Sequence, residues 1–248
     1  MRIAPPALWT LLAAAGCASS EPTTEDASTD VAPLDGPAGD EPPPVDCTGS
    51  VPSSGPRYLP LAVGASWAYH IFDLSTAEEA DKTSTVEALE DVGGRKAGAC
   101  AYRVRTEKIN GTTVTWQQDT GEAVVRHHEM AYNLADVLRD EEWYDAYKIR
   151  LDEAPARIAL GAEFNEEYEE THVDTFGTEF TDTRSIDWTV EAVDDVITVP
   201  ADTFTCLRVR HTGTVPGQSD KVFWFALGIG KVREQGRQIE ELTAYSLP

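Results

Sequence analysis

IDWTVEA, residues 186–192, alternates apolar and polar side chains from its first position to its last. Successive side chains of a β-strand point to opposite faces of the sheet, so this alternation predicts a strand with one buried face and one solvated face. Residues 102–107 and 207–210 alternate in the same way. The recurring period of two predicts a sheet rather than a bundle of helices.

The same period recurs on both sides of these segments. Eight further strands are predicted at residues 67–73, 83–89, 112–118, 123–129, 163–175, 222–225, 231–234 and 239–245. Residues 133–139 have the pattern of a short helix. We therefore expect residues 57–248 to form a nearly all-β antiparallel domain with at most one or two short helices.

Two observations predict that the sheet is bent. Asn110-Gly111, between two predicted strands, is typical of a two-residue hairpin loop because both residues tolerate positive φ. With that loop, Arg105 lies opposite Trp116 and apolar side chains fall on both faces of the hairpin. VFWF, residues 222–225, also places aromatic rings on both faces. A loop longer than two residues would account for the hairpin but not for residues 222–225. We therefore favour a strongly bent sheet or half-barrel with a covered concave side.

The first residues predict export. Met1-Arg2 precedes a short apolar run, and small residues lead up to Cys17. This pattern predicts a signal peptide over residues 1–16, which is too short to span a bilayer. The run resembles the lipobox of bacterial lipoproteins, although Ala14 stands where that family prefers Leu. The alternative is an ordinary secreted signal peptide cut near Gly16, which would leave Cys17 as a plain thiol.

The lipobox resemblance implies that Cys17 is the contact with the membrane. It implies a diacylglyceryl group on the Cys17 sulfur, cleavage before Cys17, and acylation of the new amine with a fatty acid such as palmitate. Several acyl chains, at ~0.8 kcal/mol per buried methylene, anchor a protein stably where one chain does not. We expect a cell-envelope location, with the domain in the periplasm or at the cell surface. Ala18-Ser19 lacks the aspartate that often retains lipoproteins in the inner membrane, which favours the outer membrane.

Residues 17–56 predict a disordered tether between lipid and domain. From residue 18 onwards they carry eight Asp and Glu, eight Pro, and neither Lys nor Arg. Such a segment cannot bury enough apolar area to offset its ordering entropy, and its prolines and like charges extend it. A Pro-rich motif that binds a partner is the alternative. The sequence indicates no particular protein partner.

The charge balance excludes one class of partner. The chain has 43 Asp and Glu against 20 Lys and Arg, a formal net charge of −23. Nucleic-acid binding needs clustered Lys and Arg, so we expect no nucleic-acid partner. After the signal peptide, the sequence has no run of about eighteen apolar residues, so it predicts no transmembrane helix.

Three cysteines follow Cys17. An exported protein meets an oxidising environment, so one disulfide and one thiol are expected among Cys47, Cys100 and Cys206. Cys47 lies in a polar stretch where a free thiol would be reactive, Cys100 has small neighbours, and Cys206 lies within a strand pattern. We place Cys47–Cys100 first and leave the other two pairings open.

Three stretches resemble one group of proteins. They are YLPL at 58–61 with Gly64 and WAY at 67–69, VPADTF at 199–204, and FWFALGIGKV at 223–232. Together they resemble the TapB-like group of bacterial lipoproteins, which looks related in fold to the LolA/LppX-like lipoprotein-carrier superfamily. Asp202 stands where the group usually has Gly. The resemblance implies an open, strongly bent sheet whose concave side can hold an acyl chain, and it brings no catalytic residues.

Five aromatic residues are the candidate ligand-lining residues: Trp67, Trp116, Trp188, Phe223 and Phe225. Aromatic residues on strands usually fill the core, but on a bent sheet some can line a cavity for an apolar ligand. The predicted function is a non-enzymatic lipoprotein that binds a lipid or another apolar ligand. The alternative is a structural or protein-interaction module with a filled sheet and no ligand.

The sequence predicts no catalytic residue, metal site or cofactor. Glu170, His172 and Asp174 share one face of a predicted strand, as a metal or acid–base cluster would. The surrounding run is acidic throughout, so a solvated strand face is the simpler interpretation. The sequence lacks a nucleophile elbow, a zinc-protease motif and a phosphate loop. We therefore expect no enzymatic activity.

Overall fold

The computed structural model describes residues 45–47, 55–214 and 220–248. The predicted signal peptide, Cys17 and most of the predicted tether over 17–56 lie outside these described residues. Within them, no helix has the length and apolar character needed to cross a membrane.

Antiparallel strands joined by short turns make up the fold. In the described part of the chain the strands are β1 Ser66–Asp73, β2 Glu79–Asp91, β3 Cys100–Lys108, β4 Gly111–Asp119, β5 Ala123–Tyr132, β6 Leu138–Asp152, β7 Glu163–Val173, β8 Glu179–Val199, β9 Asp202–Gly213, β10 Lys221–Ala226, β11 Gly230–Gln235 and β12 Gln238–Ser246. Each strand pairs with its neighbours in the chain. The prediction of a nearly all-β antiparallel fold is confirmed.

The sheet closes on itself, whereas the sequence led us to expect a bent sheet or half-barrel. β1 pairs with β12 along its whole length, from Ser66 opposite Ser246 to Asp73 opposite Gln238. This pairing completes a barrel of twelve strands in the described residues. Closure gives hydrogen-bond partners to both edge strands, which an open sheet leaves unpaired. Alternation along a strand does not identify its lateral partner, so open and closed sheets share the same sequence pattern.

Strand β6 is the one that alternation did not reveal, and the predicted helix at 133–139 is wrong. Asn133 instead caps a tight turn between β5 and β6, where its Oδ1 accepts from the N–H groups of Ala135 (2.9 Å) and Val137 (3.1 Å). β6 escapes the pattern because polar side chains occupy both of its faces. Among the described residues, helical geometry is limited to the 3-10 turn Gly94–Lys96.

The hairpin between β3 and β4 turns one residue earlier than predicted. Lys108 lies opposite Gly111, so Ile109-Asn110 forms the loop, and Arg105 faces Val114 rather than Trp116. Gly111 has φ 137°, and a Cβ there would lie 2.0 Å from the carbonyl oxygen of Tyr132. Glycine is therefore needed where β4 begins, beside the backbone that follows β5.

Apolar side chains fill one end of the barrel. Leu59 and Leu61, which precede β1, pack into the interior against two apolar clusters. The N–H groups of Tyr58 and Leu59 donate to the Glu153 carboxylate at 2.8 and 3.1 Å, which fixes this segment to the end of β6. We call this the closed end. At the opposite, hairpin end lie the turns of β1–β2, β3–β4, β5–β6 and β7–β8.

A disulfide joins Cys47 to Cys100, with 5.5 Å between the two Cα atoms. This is the pairing that the sequence analysis placed first. It attaches residues 45–47 to the start of β3. The thiol of Cys206 is buried within β9, and burial raises its pKa to about 12. A thiol with that pKa stays protonated and unreactive at neutral pH.

Candidate functional site

The barrel interior contains two adjoining cavities. Their volumes are about 320 Å³ and about 340 Å³. Four residues line both cavities, so the two meet at Arg126, Arg150, Lys221 and Glu234. Volumes of this size lie at the lower end of the range for small-molecule sites.

Four of the five predicted ligand-lining residues face these cavities. Trp67 and Phe225 line the first cavity, and Trp188 and Phe223 line the second. The first cavity also reaches Leu59 at the closed end. Each cavity therefore has an aromatic wall.

Trp116 lies on the outer face of the barrel instead. Its neighbour across the hairpin is Arg103, whereas the inward residue Val104 faces Thr115. The Trp116 ring stacks on His128 at a centroid distance of 4.6 Å, and His128 stacks on Trp143 at 3.6 Å. The alternation of side chains therefore places Trp116 in a three-ring stack across β4, β5 and β6, away from both cavities.

Much of the remaining cavity wall is charged, which the sequence analysis did not predict. Eight basic and four acidic residues line the two cavities in the described part of the chain, a formal sum of +4. The basic residues are Lys82, Lys108, Arg126, Lys148, Arg150, Arg184, Lys221 and Lys231. The acidic residues are Glu129, Glu170, Glu234 and Glu240.

One charged network joins β2, β11 and β12. Lys231 Nζ lies 2.5 Å from Glu234 and 2.7 Å from Glu240, and Lys82 also contacts Glu240. Burial alone would raise the pKa of Glu240, but the ammonium groups of Lys231 and Lys82 lower it to about 2. Burial and the nearby charge of Lys231 lower the pKa of Lys82 to about 7. The network holds its carboxylates ionised inside the barrel.

A second network joins β6, β7 and β8. Glu170 accepts from Arg184 Nε at 2.5 Å and lies 3.4 Å from Lys148 Nζ. Burial opposes ionisation of Glu170, but the charges of Lys148 and Arg184 lower its pKa. Lys148 also sits over the rings of Tyr144 (4.8 Å) and Tyr168 (5.5 Å). The cation is thus held by a carboxylate and by two aromatic faces.

Arg150 belongs to neither network. Its guanidinium has no ion pair and no hydrogen bond among the residues that the structure describes, and its Nε atom is buried. Burial lowers the pKa of Arg150, and the charge of Arg126 lowers it further. Arg126 itself pairs with Glu129. Arg150 therefore presents an unpaired cation at the junction of the two cavities.

The predicted set Glu170, His172 and Asp174 is only partly brought together. His172 Nε2 lies 3.5 Å from Glu170, but Asp174 turns away and accepts from the N–H groups of Phe176 and Thr178. Asp140 and Glu142 approach His172 Nδ1 at 3.8 and 3.6 Å instead. These ligand atoms lie within 4.8 Å of one another, close enough to share a cation. All three residues are half-buried, and acidic side chains commonly cluster in this way without a cation.

A signal in the sequence could have revealed the charged wall. Lys221 precedes Phe223 and Phe225 by two and four residues, so it lies on the same face as aromatics that were predicted to line a cavity. Lys148 and Arg150 are also two residues apart and therefore share one face of a strand, but that strand was not recognised from the sequence. The sequence analysis assigned polar positions to the solvated face of each strand. For this reason it did not predict the basic residues of the cavity wall.

Comparisons with other proteins give remote similarities in structure. No protein-family model matches the chain, and neither does any curated protein. A Bacteroides fragilis NCTC 9343 protein, described as exported and as having a YmcC-like fold, is 12% identical over 78% of this chain and 100% of its own, with a TM-score of 0.49. A protein of Parabacteroides distasonis ATCC 8503, described as a lipoprotein, is 11% identical over 76% and 98%, with a TM-score of 0.35. These values assign no function to this chain.

Proposed function

We propose that this protein is a non-enzymatic lipoprotein of the cell envelope whose barrel binds a lipid or another small molecule with an apolar part. Anchoring through Cys17, with the outer membrane favoured over the inner, is part of the proposal. The observation that carries it is the pair of adjoining interior cavities with aromatic walls. The resemblance to the TapB-like lipoproteins supports the same class of function.

The closed end is where we place the apolar part of the ligand. Leu59, Leu61, Trp67 and Phe225 line the first cavity there. Apolar surface removed from water at such a wall contributes roughly 25 cal/mol per Å². The hydrogen bonds from Tyr58 and Leu59 to Glu153 keep the segment before β1 in place as part of the wall. The cavity is therefore built before a ligand enters.

A structural or protein-interaction module without a ligand remains the second candidate. The observation that favours it is that charged and aromatic side chains of the interior already have partners within the barrel. Lys231 pairs with both Glu234 and Glu240, and the Trp188 ring stacks on His211 at 5.0 Å. On this reading the acidic outer surface would contact a partner.

Native mass spectrometry of the full chain, purified from the bacterium that produces it, separates the two candidates. Ser84 lines the first cavity, whereas its neighbour Thr85 lies on the outer face opposite Ser66. We expect the wild-type protein to carry a bound small molecule, Ser84→Phe to lose most of it, and Thr85→Phe to keep it. Wild-type protein without any bound molecule, or equal occupancy in the two variants, would contradict ligand binding and favour the module.

A further inference from the structure

The cavities of this protein are lined by more basic than acidic residues, although the chain as a whole is acidic. The chain has a formal net charge of −23, yet the two cavities are lined by eight of its 20 Lys and Arg and by four of its 43 Asp and Glu. Glu142 and Glu166 also lie in the interior, and burial raises the pKa of each. Even with both counted as fully charged, eight basic residues face six acidic ones in the interior, a formal sum of +2. The inside of an acidic protein is basic.

Most of the interior cations have partners. Lys82, Lys231 and Lys221 contact Glu240 or Glu234, and Arg184 contacts Glu170. Lys108 forms no ion pair with any described residue, but it is exposed at the hairpin end, where it donates to Thr113 Oγ1 at 3.1 Å. Arg150 has neither an ion pair nor a hydrogen bond among the described residues, as set out above.

An unpaired guanidinium inside a protein is costly. A buried charge that lacks a partner loses its hydration without gaining an ion pair, and a guanidinium has five N–H donors to satisfy. An oxyanion accepts two of these donors at once, in the geometry that the planar group favours. Arg126, Lys221 and Glu234 line the same junction. Arg126 pairs with Glu129 and Lys221 with Glu234, so Arg150 is the cation there that lacks a carboxylate partner among the described residues.

We infer that the barrel binds an amphiphile whose oxyanion group, a phosphate or a carboxylate, pairs with Arg150 where the two cavities meet. The apolar part of this ligand occupies the aromatic wall at the closed end, so the inference rests on the proposed function and specifies its ligand class. The competing explanation is structural, because Glu129 and Glu234 act on Arg150 electrostatically from beyond ion-pair distance. The two explanations differ in what happens when the Arg150 charge is removed.

Isothermal titration of the full chain, purified in a non-ionic detergent, tests the inference with three probes. Octyl phosphate carries both parts of the expected ligand, 1-octanol carries the apolar part, and inorganic phosphate carries the anion. We expect octyl phosphate to bind at least about tenfold more tightly than 1-octanol, which is about the size of one charge-assisted hydrogen bond. Inorganic phosphate alone should bind more weakly than octyl phosphate.

Arg150→Met keeps the length of the side chain and removes its charge. We expect this variant to bind both eight-carbon probes equally, with its affinity for 1-octanol unchanged and its melting temperature not lowered, because it breaks no ion pair. Arg105→Met is the matched control, since Arg105 faces outward opposite Val114. It should keep the wild-type preference. If Arg150→Met fails to fold, Arg150→Gln replaces it with the same expected loss.

The possible results separate the two proposals. Equal binding of octyl phosphate and 1-octanol by the wild-type protein, or an unchanged preference in Arg150→Met, overturns the inference and leaves the proposed function standing. Failure of both probes to bind overturns the proposed function as well. Inorganic phosphate that binds as tightly as octyl phosphate, and is lost in Arg150→Met, supports the anion site and contradicts the apolar contact.

Discussion

Lys231 on β11 reaches Glu240 on β12, with 2.7 Å between Nζ and Oε2, inside a closed barrel. The Glu240 pKa is about 2 because neighbouring ammonium groups outweigh the effect of burial. A carboxyl group whose pKa is lower in the folded than in the unfolded state contributes stability that is fully present above the unfolded pKa, about 4.3. That contribution is lost as the pH falls toward the folded value. We therefore expect the melting temperature to fall between about pH 4.5 and about pH 2.

Glu240→Gln tests the origin of this acid sensitivity. Removing the carboxylate leaves Lys231 and Lys82 with one partner fewer inside the barrel, which should cost about 3 kcal/mol of unfolding free energy at pH 7. The decrease in melting temperature between pH 4.5 and pH 2 should become smaller. Glu79→Gln is the control, because the Glu79 side chain is 67% exposed. Urea unfolding at pH 7 measures the first effect and thermal unfolding at several pH values measures the second. Identical pH profiles for the two variants would contradict the assignment.

The disulfide between Cys47 and Cys100 should stabilise the barrel. It links residues 53 positions apart, and a loop of that length implies about 4 kcal/mol in the chain-entropy model. We expect the double variant Cys47→Ser/Cys100→Ser to unfold at lower urea concentration, and a reducing agent to destabilise the wild-type protein but not the double variant. Peptide mapping after alkylation of the urea-unfolded protein, without reduction, should modify Cys206 alone among these three cysteines. Alkylated Cys47 and Cys100 in that experiment would rule the pairing out.

Gly111→Ala should be far more disruptive than an equivalent change at Gly121. Both glycines have positive φ, at 137° and 92°, so either substitution carries a conformational cost of about 1–2 kcal/mol. A Cβ at Gly111 would also meet the Tyr132 carbonyl oxygen at 2.0 Å, whereas no atom of the described residues lies within 4 Å of a Cβ at Gly121. The backbone must move at Gly111, which should add about 1–3 kcal/mol. Equal unfolding free energies for the two variants would show that the hairpin register differs from the one described.

Lipidation of Cys17 is tested by fractionation and mass spectrometry. We expect the wild-type protein to sediment with membranes and its first mature peptide to carry acyl chains on Cys17. Cys17→Ala should leave the protein unlipidated and detached from membranes, because the signal peptide is too short to anchor it. Cys206→Ala should behave like the wild-type protein in fractionation, since Cys206 is buried within β9. Mature wild-type protein recovered free in solution without acyl chains would refute the anchor.

Most of the fold could be predicted from alternation. The pattern of IDWTVEA identifies β8, and related patterns identify ten other strands, because each places one face against the interior. Strand β6 could not be found this way, since Glu142 and Lys148 occupy inward positions where apolar residues were expected. The pairing of β1 with β12, which closes the barrel, could not be predicted from the sequence either. It depends on contacts such as Tyr69 opposite Leu242, which no local pattern reveals.

The candidate site was predicted in part for the same reason. Trp67, Trp188, Phe223 and Phe225 face the cavities because large apolar side chains favour the interior of a sheet. The charged half of the wall breaks the rule that polar positions face water. Arg150 could be recognised only once the barrel showed that its face is enclosed. Trp116 was misplaced because apolar residues lie on both faces of its hairpin, and alternation alone does not say which face is inside.

The seam between β1 and β12 has a consequence for biogenesis. β12 is made after all the other strands, so a nascent chain that has released β1 through β11 still has two unpaired edges. The proposed export across a membrane would lengthen the time that the chain spends in that state. Open strand edges recruit other chains, so the risk of aggregation is greatest until β12 pairs with β1 and closes the barrel.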